Sequence, residues 1–192
     1  MTPDLGPATE RLSEVLVNVT DDQLTLPTPC PAYTLGDLID HINGLSLAFT
    51  VAAAKGTLPG GSQGPSADAS RLPDDWRESL PQRLAGLAEA WRKPDAWEGM
   101  TQAGGIDLPG QVAGLVALNE VVVHGWDVAR SIGQPYESAP EAVETCLDFL
   151  SQAPLGDSSD GPYGPPVAVP AEAPALDRLV GLTGRDPAWG TS

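Results

Sequence analysis

Positive charge is scarce in this 192-residue chain: ten Lys and Arg stand against 26 Asp and Glu, for a net charge of −16. Ten scattered cations give no material for the basic patch of a nucleic-acid binder, and the same shortage disfavours anionic lipid surfaces. Cysteine is scarcer still. Cys30 and Cys146 are the two present, with no paired CxxC spacing, so a zinc knuckle is excluded and free thiols are expected. No uninterrupted apolar run approaches the roughly 18 residues of a membrane span. The N-terminal stretch MTPDLGPATERLSEVL lacks a basic region followed by an apolar one, so no secretory leader is expected and the default location is the cytoplasm. The Gly-rich 60–64 segment lacks the Lys-Ser/Thr of a phosphate loop and follows no strand, which argues against nucleotide binding. Strand-period alternation and internal repeats are also missing.

What remains is helical periodicity punctuated by Gly and Pro. Residues 5–19 place Leu5, Leu12, Val15, Leu16 and Val19 on one stripe. Three prolines break the pattern between 20 and 33, and Thr34, with Asp37 three residues on, predicts an N-cap for a second helix running to about Lys55. A Gly/Pro/Ser-rich loop is expected at 56–73. A third helix is expected between Asp74 and Lys93, with Pro81 interrupting it or standing in its first turn. After a connection that includes a short extended piece near 106–110, the central helix spans 110–132 and ends at Gly133 and Pro135. A further helix covers 139–152. Residues 153–192 then turn Pro- and Gly-rich, with one short helical candidate at 175–184. Helices of this number and length predict an all-α bundle over 1–152, with the 153–192 tail packed along its outside in a single domain.

The chemistry concentrates on the central helix. Glu120 and His124 lie four residues apart, one turn on the same face and about 6 Å along the axis; Asp127 continues that face. Glu120 sits in the apolar run LVALNEVVV, where a lone buried carboxylate costs several kcal/mol unless it is paired or bound to a metal. The other histidine, His41, lies on the second helix between Leu38 and Leu45 and is expected to point inward. His41 alone reads as a core residue hydrogen-bonded to a backbone carbonyl, Glu120 and His124 alone as an i,i+4 hydrogen bond on an exposed helix face, and E-x-x-x-H occurs by chance. Together, His41, Glu120 and His124 read as the protein ligands of one divalent metal, with a coordination position left open. Asp127 is expected to act as general base or to orient a water there. Asn119 and Trp126 flank the ligands and are candidates to orient them. Cys30 reads as a packed loop residue.

TPCPAYTLGDLIDHI (28–42) and NEVVVHGWDVARSIG (119–133), in this order and separation, resemble the DinB-like superfamily. The similarity is to its actinobacterial branch, related to mycothiol-dependent maleylpyruvate isomerase, and the tail from Pro162 to Trp189 resembles metal-binding proteins of that branch. The resemblance implies a DinB-like four-helix bundle with one Zn2+, or another divalent ion such as Ni2+, held by His41, Glu120 and His124. It implies mycothiol as thiol cofactor and a transferase or isomerase reaction on a small molecule. The isomerase takes an arginine from a separate C-terminal domain. Here the short tail would have to supply it, which makes Arg178 and Arg185 the candidates for cofactor binding. The alternatives are a non-catalytic metal- or ligand-binding protein and a metal-dependent hydrolase. Bundles of this kind also pair as homodimers; no nucleic-acid or membrane partner is expected.

Overall fold

A computed structural model describes residues 2–58, 67–152 and 163–190. The Gly-rich 60–64 segment, residues 59–66 of the loop expected at 56–73 and the first ten residues of the tail lie outside these. The elements run α1 (Gly6–Leu16), α2 (Leu35–Ala53), α3 (Trp76–Trp91), a single turn α4 (Pro94–Trp97), β1 (Met100–Ala103), β2 (Ile106–Pro109), α5 (Gly110–Ser131), α6 (Pro140–Gln152) and α7 (Ala175–Leu182). The protein is therefore mostly helical. Its described strands form one antiparallel hairpin, with Met100 opposite Pro109 and Ala103 opposite Ile106. Four-residue strands are too short to show alternation, which is why only the 106–110 half was anticipated.

The long helices close a ring of contacts: α1 packs on α3 and α5, and α2 packs on α5 and α3. Leu12 and Leu16 of α1, Leu38 and Ile39 of α2, Leu80, Leu84 and Leu87 of α3 and Leu118 of α5 fill the centre with almost no exposed surface. Burying each such side chain contributes about 1.5–3 kcal/mol. Helix α2 starts where its sequence says. The Thr34 hydroxyl accepts from Asp37 N–H at 3.3 Å, and the Asp37 carboxylate accepts from Thr34 N–H at 3.0 Å. Pro81 lies inside α3 rather than in its first turn. Two of its neighbours, Leu80 and Leu84, are completely buried, so packing holds the helix across the missing N–H.

Helix α5 is long and apolar enough to cross a membrane by length and composition, and most of its apolar window is buried inside the fold as a core helix. Helix α6 packs on α5 and on α7. Three side chains of α5 hold the described part of the tail. Asn119 donates to the Tyr163 hydroxyl at 2.9 Å, Arg130 donates to the carbonyls of Pro187 and Trp189, and Asp127 receives Arg185. On the opposite flank Gly125 leaves the space that Tyr136 fills; a Cβ there would stand 2.7 Å from the phenol Cζ.

Candidate metal centre

His41 comes from the middle of α2, and Glu120 and His124 from successive turns of α5, two helices in direct contact. Their ligand atoms all lie within 4.8 Å of one another. The two imidazoles meet edge to face with ring centroids 5.2 Å apart. His124 is buried, whereas His41 and Glu120 are half-buried, so the cluster lies at the edge of the core and opens toward solvent. Tyr33, in the loop before α2, stands beside the His41 ring at 5.5 Å. A narrow cavity of about 10 Å³, room for about one water, lies between α2, α3 and α5 and is lined by Phe49, Leu87, Val121, Glu120 and His124.

Two imidazoles and a carboxylate are a donor set suited to zinc, which takes four donors at about 2.0–2.2 Å. Donors on one such ion lie about 3.4 Å apart, so His124 Nε2 and Glu120 Oε2 would have to part slightly to share it. Without the ion, protons do its work. His124 Nε2 stands 2.9 Å from Glu120 Oε2, and Nδ1 stands 2.9 Å from Asp127 Oδ2. Burial disfavours the imidazolium, but the hydrogen bonds and charges of both carboxylates outweigh it and raise the His124 pKa to about 9. At neutral pH the ring therefore donates from both nitrogens. Burial would raise Glu120, yet the His124 hydrogen bond and the charges of His124, His41 and Arg185 hold it below the usual carboxylate range.

Asp127 is fully buried. Its spacing puts it on the ligand face, where it is expected to act as general base or to orient a water. The structure places it behind the ring instead, on the nitrogen that faces away from Glu120, with both oxygens engaged. Arg185 Nη2 donates to Oδ2 at 2.9 Å and Arg185 Nε to Oδ1 at 3.3 Å. Burial pushes the Asp127 carboxyl up, but the Arg185 charge and the His124 bond win and hold it down.

The two candidate arginines part company. Arg185 reaches the site from the tail. Arg178 lines a separate groove of about 400 Å³ between α6 and the tail, together with Glu144, Asp148 and Val169. Asn119 touches the tail through Tyr163, and Trp126 packs in the core with the Arg130 guanidinium 5.6 Å from its ring centre. Cys30, expected chiefly to pack, accepts at its Sγ from Arg185 Nη2 at 3.5 Å. Burial raises the thiol pKa and the Arg185 charge partly offsets that. The two residues are 155 positions apart, so no local spacing announces the contact.

Residues 5–129 match the family described as "Mycothiol maleylpyruvate isomerase N-terminal domain". The uncharacterized proteins MT0763 and Rv0738 of Mycobacterium tuberculosis are each 30% identical to the chain over 183 residues, covering 93% of either partner. Among solved structures, the crystal structure of the mycothiol-dependent maleylpyruvate isomerase aligns with a TM-score of 0.56 at 20% identity. That alignment covers 77% of this chain and 65% of the isomerase, and the likeness is one of fold.

Proposed function

The chain belongs to the mycothiol maleylpyruvate isomerase N-terminal domain family, and from that membership we propose that it is a zinc- and mycothiol-dependent transferase or isomerase acting on a small molecule in the cytoplasm. The observation that carries the metal half is the convergence of His41, Glu120 and His124 from two helices onto donor atoms within 4.8 Å. The ring of α1, α3, α2 and α5 supports reading residues 1–152 as a DinB-like four-helix bundle, with 153–192 as a tail laid over it.

In this reading His41 Nδ1 or Nε2, a Glu120 oxygen and His124 Nε2 hold the ion. When bound, zinc lowers the pKa of a thiol in its open position, favouring the nucleophilic thiolate. The protein's own groups do the rest. Asp127 keeps a proton on His124 Nδ1, fixing the tautomer that leaves Nε2 free to ligate. In this role it is a holder of the ring. Phe49, Leu87 and Val121 wall the ligands and keep bulk water from the inner side. Tyr33 stands 5.5 Å from the His41 ring, beside the face where a thiol cofactor and its substrate would enter.

The test is spectroscopic. Cobalt-substituted protein titrated with mycothiol, or with cysteine as a surrogate thiol, should develop a near-ultraviolet thiolate-to-cobalt band that His41→Ala abolishes. Stoichiometric metal binding with no such band would favour the second reading, a metal-binding protein without thiol chemistry. The small size of the cavity beside the ligands speaks for that alternative.

A further inference from the structure

The described end of α7 is built to aim one side chain. After Leu182 the chain turns at Gly184, whose φ of +83° only glycine adopts at little cost. Gly184 N–H donates to the Gly181 carbonyl at 3.1 Å, and Arg185 N–H donates to the Val180 carbonyl at 2.9 Å. This pair of bonds is a Schellman closure, and Arg185 occupies its last position. A Cβ at 184 would also stand 2.9 Å from the backbone of Gly164, which packs against the turn. The backbone is thereby fixed, and the guanidinium enters the core at 7% exposure.

There it is almost fully committed. Nε and Nη2 form a fork on the Asp127 carboxylate, Nη1 donates to the Thr183 carbonyl at 2.7 Å, and Nη2 also reaches Cys30 Sγ. All but one of its N–H donors are spoken for, which leaves little to receive a substrate carboxylate. Asp127 Oδ2, which accepts from Arg185 Nη2, also accepts from His124 Nδ1 at 2.9 Å. The side chains form one line from the tail to the ligand set: Arg185, Asp127, His124, Glu120.

We propose that Arg185 is a positioning residue for the metal centre: by clamping Asp127 it fixes the plane of the His124 ring, so the tail sets how well the centre holds its ion. The inference rests on the metal reading above but makes a separate claim. A flexible Asp127 would let the ring rotate and would accept from it in several geometries. A forked guanidinium permits one. Partners that orient a ligating histidine typically change metal affinity 10–100-fold when removed. Lysine offers a point charge in place of the fork and should restore only part of the effect.

The experiment compares Arg185→Gln and Arg185→Lys with Arg130→Ala in the full chain. Arg130 also ties down the tail, through the Pro187 and Trp189 carbonyls, without touching Asp127. Zinc affinity is read by competition with a chromogenic chelator, ligand geometry by the visible bands of the cobalt form, and ring orientation by the exchange-protected His124 Nδ1–H proton signal in metal-free protein. Arg185→Gln should weaken zinc 10–100-fold, shift the cobalt bands and lose the proton signal, with Arg185→Lys in between. Arg130→Ala should leave all three as in the parent protein. Unchanged zinc affinity and proton signal in Arg185→Gln, or equal losses in Arg130→Ala, would overturn the proposal. If Arg185→Gln fails to fold, Arg185→Lys carries the same comparison. If the parent protein binds neither zinc nor cobalt, the metal reading falls, while the proton signal still decides whether Arg185 orients the ring.

Discussion

In the proposed metal centre zinc and protons would compete for the same nitrogen of His124, and that competition would set a pH dependence. Below its pKa of about 9 the ring carries a proton on Nε2, donated to Glu120 Oε2 at 2.9 Å. Zinc needs the lone pair on that nitrogen, so binding must expel the proton. At pH 7, about two units below, the expulsion costs roughly 3 kcal/mol, on the order of a hundredfold in affinity. Zinc affinity should therefore rise about tenfold per pH unit from 7 and flatten above 9. The stability of the zinc-free protein should move the other way. A folded pKa raised above the ordinary 6.5 contributes stability that is fully present below 6.5 and is lost as pH rises through 9. Chelator competition at pH 7.0, 7.75 and 8.5, with thermal melts of metal-free protein at the same values, reads both trends. A zinc affinity that stays constant over this interval, once the chelator's own protonation is subtracted, would refute the reasoning, since no proton on His124 would then be in the way.

Gly125→Ala, one residue beyond a ligand, tests the packing behind the site. Alanine gains up to about 1 kcal/mol of helix propensity over glycine, but its Cβ would press on the Tyr136 ring at 2.7 Å, an overpacking worth about 1–3 kcal/mol. The variant should lose stability in urea unfolding, and Tyr136→Leu in the same chain should restore it; a Gly125→Ala protein as stable as its parent would contradict the crowding. The two thiols should differ sharply. Cys146 is 1% exposed and burial pushes it up to about 12, whereas Cys30 is only partly buried beside Arg185. Iodoacetamide at pH 7.5 should label Cys30 slowly and Cys146 only in denaturant, as peptide mapping would show; equal native rates would place Cys146 nearer the surface than the structure does.

Much of the site was legible because it obeys local rules. Glu120 and His124 are one helical turn apart, and a carboxylate in an apolar run demands a partner; Thr34 and Asp37 announce the start of α2 and so fix where His41 falls. The convergence of His41 on that pair depends on α2 packing against α5, which periodicity makes plausible without determining. What stayed hidden was the reverse side. Asp127 shares a face with His124, and sequence spacing alone does not say which ring nitrogen it meets. Its true partner is 58 residues on, delivered by a turn after α7. Arg178 and Arg185 looked equivalent in sequence; the Schellman turn at Gly184 separates them, sending one inward while the other stays on the outer groove. Cys30 came into view for the same reason, through a neighbour no pattern links to it. The hairpin escaped because four-residue strands carry no period.

The Arg185–Asp127 fork also fixes an order of events during synthesis. Translation delivers His41, Glu120 and His124 first, and for the next stretch of elongation Asp127 is a carboxylate destined for the interior whose counter-ion has not yet left the ribosome. Nascent chains halted between positions 127 and 184 own every candidate metal donor yet lack the guanidinium that forks onto Asp127. A product terminated in that interval would thus carry a complete candidate ligand set with His124 as the partner of Asp127 and without the fork that fixes its carboxylate.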